Sequence, residues 1–214
     1  MELTGQVAVV RGEEELFART AHLFAGATEI NCAANDLNTW VAARRPPPAP
    51  AHRPAGLRVR KIYRPSVVLD PRSAEQLAAS RAAGADIRIT QDEINETIIL
   101  DRRTVILAGD LTAGTRSYSV IQLPEVVQGV VSLFEAAWRA ATDLDVYDAQ
   151  TAELRQIAPR VLEFLASGGK DETAARALGL GVRTYRRRVA ELMAALGADS
   201  RFQAGVRARE LGLV

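Results

Sequence analysis

The chain has 214 residues, enough for one large domain or two modest ones with real cores. Its 48% apolar and 25% charged residues exclude overall disorder, and its apolar stretches are too short to cross a bilayer. A single cysteine, Cys32, excludes an internal disulfide framework and, with only His22 and His52 beside it, argues against a structural zinc site.

From the N-terminus, Gln6–Val10 reads as a strand. Glu13–Ala25 has the spacing of an amphipathic helix, with Leu16, Phe17, His22 and Phe24 among its larger side chains. Thr28–Ala33 reads as a second strand. The stretch from Arg44 to Pro54 is too dense in proline for a helix interior or a central strand, so it is an extended surface connector. Leu57–Tyr63 then alternates Leu57, Val59, Lys61 and Tyr63 against Arg58, Arg60 and Ile62. Arg58, Arg60, Tyr63 and Arg64 are candidate donors to an anionic small-molecule effector in a pocket at the strand ends, or ordinary exposed strand positions.

Pro71 and Ser73 open a helix to about Ala83, closed by Gly84. Strands follow at Asp86–Thr90, Glu96–Leu100, Thr104–Ala108 and Ser117–Gln122, and the tight Asp101-Arg102-Arg103 connection predicts a hairpin. Pro124–Ala141 is a helix expected to bury Val126, Val130, Leu133, Phe134 and Trp138, against its own sheet or against a second copy across a twofold axis. Residues 1–142 therefore read as an α/β sandwich with a mixed sheet. Residues 143–151, polar and acidic, read as a linker. Residues 152–214 are helical throughout: Leu154–Ser167, Asp171–Leu178, Val182–Leu196, and a last helix capped by Ser200 and running to about Leu211.

Charge divides in the same way. Residues 151–214 carry 11 Lys/Arg against 7 Asp/Glu, whereas the chain as a whole has a net charge of only +1. A basic C-terminal module on a mildly acidic body points to a polyanionic partner. Asp171–Leu178, the turn Gly179-Leu180-Gly181 and Val182–Leu196 form helix, glycine-containing turn, helix, an arrangement whose second helix can enter a major groove. At about 100° per residue, Val182, Tyr185, Val189, Leu192, Met193 and Leu196 share one arc, while Arg183, Arg186, Arg187 and Ala190 share another. Cations at a helix N-terminus oppose the helix dipole, and a nucleic-acid phosphate at the same place removes that penalty. Arginine also reads guanine O6 and N7 in bidentate fashion.

These residues resemble the DNA-binding domain of LuxR-type (GerE-type) regulators from about Leu154 to the C-terminus. Val161-Leu162, Leu165-Ala166 and Gly168 match the first helix of that family, and Ala175 with Leu178 match the second. Thr184-Tyr185-Arg186 stands where Thr-Val-Lys is usual, and Ser200-Arg201-Phe202-Gln203-Ala204 matches the closing Ser-Arg-x-x-Ala. The resemblance implies that Arg186 and Arg187, with Arg183 next, face base edges of double-stranded DNA. It places Lys170, Thr184 and Arg201 near phosphates. Arg188, outside the arginine arc, is open to either a backbone contact or internal pairing. The chain departs from the family at Arg160, where glutamate is usual, and at Lys170-Asp171-Glu172-Thr173, which replaces Ser-Asn-Lys-Glu and alters the polar bracing between helices.

Catalytic signals are weak. No nucleophile elbow, P-loop or dinucleotide fingerprint is present. The run Ile94–Gly109 resembles the phospholipase D-like fold, whose motif is His-x-Lys-x4-Asp. Ile94 and Glu96 stand in place of the histidine and lysine, which leaves only Asp101. Over roughly Leu57–Leu144 the chain is similar to catalytically empty, TrmB-like sensor domains of actinobacterial regulators. The reading as a whole is a cytoplasmic, homodimeric transcription regulator that is not an enzyme and needs no metal or other cofactor. Its N-terminal domain, with a possible effector, controls a LuxR-type helix-turn-helix domain. The alternatives are a degenerate phosphodiesterase-like hydrolase and a protein-binding adaptor.

Overall fold

A computed structural model describes residues 6–35, 37, 40, 56–69, 71–112 and 114–214. The proline-dense connector and His52 lie outside these residues. Among them the chain is mixed α/β, with eight strands in one sheet and eight helices. The strands are β1 (Val7–Arg11), β2 (Glu29–Ala34), β3 (Arg58–Tyr63), β4 (Ala85–Ile89), β5 (Thr97–Leu100), β6 (Thr104–Thr112), β7 (Thr115–Ile121) and β8 (Thr142–Asp143). The helices are α1 (Glu13–Gly26), α2 (Ser66–Leu69), α3 (Pro71–Ala82), α4 (Pro124–Ala140), α5 (Leu144–Ala166), α6 (Asp171–Ala177), α7 (Val182–Leu196) and α8 (Arg201–Glu210).

The sheet runs β1-β7-β6-β5-β2-β3-β4-β8. β2, β3 and β4 are parallel neighbours, and every other pairing is antiparallel. The predicted hairpin joins β5 to β6. Asp101 and Arg102 take φ values of 48° and 55°, and Arg103 N donates to Leu100 O at 3.0 Å. Two left-handed residues give the turn whose twist suits antiparallel strands. Asp101 also accepts from Thr28 N at 2.8 Å, Thr28 Oγ1 at 2.9 Å and Glu29 N at 2.8 Å. Burial raises its pKa, but these hydrogen bonds outweigh burial and hold the carboxyl below its ordinary value. Asp101 thus fastens the hairpin to the start of β2.

Strand alternation sends side chains to two cores. On one face Val59, Ile87, Ile89, Ile106 and Tyr118 pack with Leu16 of α1 and Leu77 of α3. On the other Ile62, Ile99, Val105 and Ile121 pack under Val127, Val131 and Phe134 of α4. α4 carries the chain from β7 to β8 at the far edge. Six strand spacings measure about 29 Å, and 17 residues of helix rise about 25 Å, so the helix length suits the crossing. Its buried stripe differs from the expected one: Val126 is exposed and Leu133 is 71% exposed, while Val127 and Val131 are buried. Glu125, Gln128, Ser132, Glu135 and Arg139 form one polar stripe, and the apolar arc opposite it is wide enough that Val126 and Leu133 fall at its edge, away from the sheet.

Residues 143–151 are not a linker. Asp143 ends β8 and caps α5 by accepting from Asp145 N at 2.9 Å, and α5 starts at Leu144, well before the expected Leu154. Leu144 and Tyr147 pack into the sheet core, whereas Leu154, Ala158, Val161 and Leu162 belong to a third core with α6, α7 and α8. One helix therefore enters both. Leu69 of α2 also packs into the helical core.

Candidate nucleic-acid interface

α6 ends because Gly179, at φ 68°, turns the chain left-handed. Leu180 N then donates to Ala175 O at 2.8 Å and Gly179 N to Arg176 O at 3.1 Å, which satisfies carbonyls that the helix leaves open. Arg160 Nη2 donates to the neighbouring Ala177 O at 2.9 Å. Arg160 therefore caps the C-terminus of α6, the helix end that favours cations. α7 follows after four residues, Leu178 to Gly181. Tyr185, Val189, Leu192 and Leu196 are buried, with Val182 and Met193 packed at the edge of the same core.

That burial turns Arg183, Arg186, Arg187 and Ala190 outward together, all exposed. Arg186 Nε donates to Asp171 Oδ2 at 2.7 Å. Arg201 binds the same carboxylate in bidentate fashion, with Nη1 to Oδ1 at 2.6 Å and Nη2 to Oδ2 at 3.1 Å. Hydrogen bonds from Arg201, then Arg186, hold Asp171 down to about 2 against the smaller effect of burial. Asp171, at the N-terminus of α6, therefore joins α6, α7 and α8 and fixes where Arg186 stands. The sequence reading located the altered bracing here but did not identify this residue's role; an acidic residue at the first position of α6, which favours the helix dipole, was the available signal.

Lys170 is exposed just before α6 and Thr184 is half-buried on α7. Arg187 Nε lies 3.6 Å from Glu191 Oε1 on its own helix. Of the two readings left open for Arg188, its surroundings match the internal pairing and not the backbone contact. It is only 9% exposed, Nη1 donates to Glu191 Oε2 at 2.8 Å, and Nη2 pairs with Glu153. One residue past Arg187 is about 100° around the helix, which carries the side chain off the exposed face and onto α5.

The set Arg58, Arg60 and Tyr63 does not form a site. Period-2 alternation puts the two arginines on the α4 side and Tyr63 on the other, where it is buried. Arg60 is already saturated: Nε donates to Asn31 Oδ1 at 2.8 Å, and Nη2 to Glu135 Oε1 at 2.7 Å and Glu29 Oε1 at 3.2 Å. Its guanidinium also lies 5.3 Å from the Phe134 ring centroid and 5.2 Å from that of Trp138. Arg58 Nη2 donates to Glu29 Oε2 at 2.7 Å. Among the described residues no group of three or more His, Cys, Asp or Glu is placed to hold a metal ion, and no helix is long and apolar enough to cross a membrane.

No protein-family model matches the chain. It is 32% identical over 162 residues to the bialaphos biosynthetic pathway regulatory protein of Streptomyces hygroscopicus; the match covers 74% of this chain and spans 62% of that relative's length. Among solved structures it is similar to the archaeal chromatin protein TrmBL2, described as showing a novel mode of DNA binding. That likeness has 18% identity and a TM-score of 0.47 over 66% of this chain and 55% of the other. It is also similar to Nuc, a phospholipase D family member from Salmonella typhimurium, with 15% identity and a TM-score of 0.48 over 64% of this chain and 97% of the other.

Proposed function

We propose that the chain is a DNA-binding transcription regulator that reads a promoter through the major groove with α7. The carrying observation is the outward arginine face of that helix, set one short glycine turn after α6, while the opposite face is buried. Arg186 and Arg187, then Arg183, face base edges; Lys170 and Thr184 lie toward phosphates, and Arg201 contributes through its hold on Asp171. Arg188 is left out because its charge is already paired inside the fold. The likeness to a Streptomyces regulatory protein supports regulation in general. The LuxR-type pattern from about Leu154 onward supports the helix-turn-helix reading. A homodimer, which lets two copies meet two half-sites, belongs to the same reading, as does control by the sheet-bearing part.

The sheet-bearing part is proposed to be non-catalytic. Ile94 and Glu96 bring no nucleophile, and Asp101 spends its carboxylate on backbone and hydroxyl groups at the start of β2. Fluorescence anisotropy of the full chain on its own upstream DNA and on a scrambled duplex tests DNA reading. Tighter binding to the upstream DNA that persists at physiological salt is expected. Arg187→Ala should cost about 1–3 kcal/mol on the cognate site and relax preference at one base. Equal loss on both duplexes would sink the base-reading role, and turnover of a generic phosphodiester would sink the non-catalytic one.

A further inference from the structure

Alternating parallel strands leave a crevice beyond their carboxyl ends, the usual place for a ligand in such sheets. Here β2, β3 and β4 are the parallel strands; Asn35 and Arg64 directly follow β2 and β3, and Glu93–Asn95 lie in the connection from β4 to β5. These residues line a cleft of about 790 Å³ whose opposite wall is the end of α7 and the last turns of α8. The cleft therefore lies between the sheet and the helical core.

Two guanidinium groups converge in it. A Cβ added to Gly197, at the end of α7, would lie 2.6 Å from Arg207 Nη1 and 2.8 Å from Arg64 Nη2, so both cations crowd one backbone position. Arg207 Nη1 donates to Leu196 O at 2.7 Å. Arg64 Nη1 is buried without a hydrogen-bond partner among the described residues. Among the described residues neither arginine is ion-paired, although Glu93 and Glu210 stand exposed on the rim. Other enclosed arginines are satisfied in different ways: Arg60 pairs with Glu29 and Glu135 and Arg188 with Glu153 and Glu191, while Arg88 donates to Trp138 O at 2.6 Å and lies over the Trp138 ring. Like charges with an unsatisfied donor are costly, and the partial negative charge at the C-terminus of α7 offsets only a fraction of that cost. An anion between them satisfies both, and guanidinium groups suit carboxylate and phosphate oxygens.

We propose that this cleft binds a small organic oxyanion, a carboxylate or a phosphate monoester, through Arg64 and Arg207, with the exposed rim carboxylates accepting hydroxyl or amino groups of the same molecule. Occupation ties α7 and α8 to the carboxyl ends of β2 and β3. The consequence for promoter binding rests on the function proposed above, whereas the anion site does not.

Thermal unfolding of the full chain in inorganic phosphate and in citrate, against chloride at matched ionic strength, tests it without DNA. A saturable rise in the midpoint is expected with at least one of the two, and the one that acts identifies the oxyanion. Arg64→Gln should lose the response while unfolding no earlier than the parent in chloride, because Arg64 Nη1 forfeits no hydrogen bond among the described residues. Arg207→Gln should lose it too. Arg183→Gln, which alters the arginine face of α7, should keep it. No response in the parent chain, or a response that survives Arg64→Gln or disappears in Arg183→Gln, overturns the site. Because no duplex is present, such a failure is separate from failure to bind DNA.

Discussion

Glu135 accepts from Arg60 through both carboxylate oxygens, at 2.7 Å and 3.1 Å, and from Arg102 at 3.0 Å. The hydrogen bonds from Arg60, with a smaller contribution from Arg102, hold its pKa down to about 2 against burial. In the unfolded chain it titrates near the ordinary value of 4.5. The unfolded state therefore binds the extra proton in between, so the stability from this group is full above about pH 4.5 and is lost as the pH falls toward 2. Glu135→Gln should destabilise the protein by about 1–3 kcal/mol at neutral pH, since it strips a charged partner from a half-enclosed guanidinium. The difference should vanish near pH 2, and urea midpoints measured across the acid range check both points. Asp171 titrates on the same side, also down to about 2, through Arg201 and Arg186. Asp171→Asn should weaken DNA binding as well as stability, because it releases Arg186 from its fixed position on α7. Unchanged affinity at normal folding, measured by anisotropy, would show that the arginine needs no such anchor.

At the scale of elements, two glycines end the helices of the candidate interface with similar left-handed backbone but in different surroundings. Gly179 has φ 68° and open space where a Cβ would go; Gly197 has φ 64° and two guanidinium groups there. Gly179→Ala should cost about 1 kcal/mol, the strain of a left-handed L-residue alone. Gly197→Ala should cost about 2–3 kcal/mol, because Arg207 must also move off Leu196 O. Denaturant midpoints of the two variants compare them directly; equal losses would mean that the guanidinium groups yield freely. Several element boundaries set by a local rule were legible. Pro124 opens α4, Gly179 and Gly197 end α6 and α7, and the Ser200 hydroxyl caps α8 by accepting from Gln203 N at 3.1 Å. The first turns of α5 were not, because their anchors, Leu144 and Tyr147, stand in a run as polar as any linker. The arginine face of α7 was legible because a strong apolar arc fixes the helix rotation. The set Arg58, Arg60 and Tyr63 was not, since residue type suggested a ligand while alternation already divided the three between opposite faces. Arg64 and Arg207 meet only through tertiary packing, and no sequence spacing relates them.

Over the whole molecule, α5 is the mechanical link. Its start is fixed by β8 on the edge of the sheet and by Leu144 and Tyr147 in the sheet core, and its later turns build the helical core. A rod of 23 residues measures about 34 Å, and bending it anywhere between the cores uncouples them. Ala149 and Gln150 lie at that point and are exposed, so a change there touches the helix backbone and little else. Gln150→Pro removes the hydrogen bond to the carbonyl of Val146 and costs about 3 kcal/mol of helix. The native Pro159 is held by buried neighbours on both sides, Ala158 and Val161, a support that position 150 lacks. The chain has two tryptophans, Trp40 and Trp138, and each belongs to a core of the sheet. Tryptophan emission therefore follows the sheet, while far-ultraviolet dichroism follows the helices of both parts. In the parent chain the two signals should lose structure at one midpoint, as coupling through α5 and Leu69 requires. In Gln150→Pro the dichroism should acquire an earlier step that emission does not share, because the helical core melts without the sheet. Coincident transitions in the variant would place the coupling in Leu69 and the cleft rather than in α5, and Leu69→Ala in the same background would then separate them.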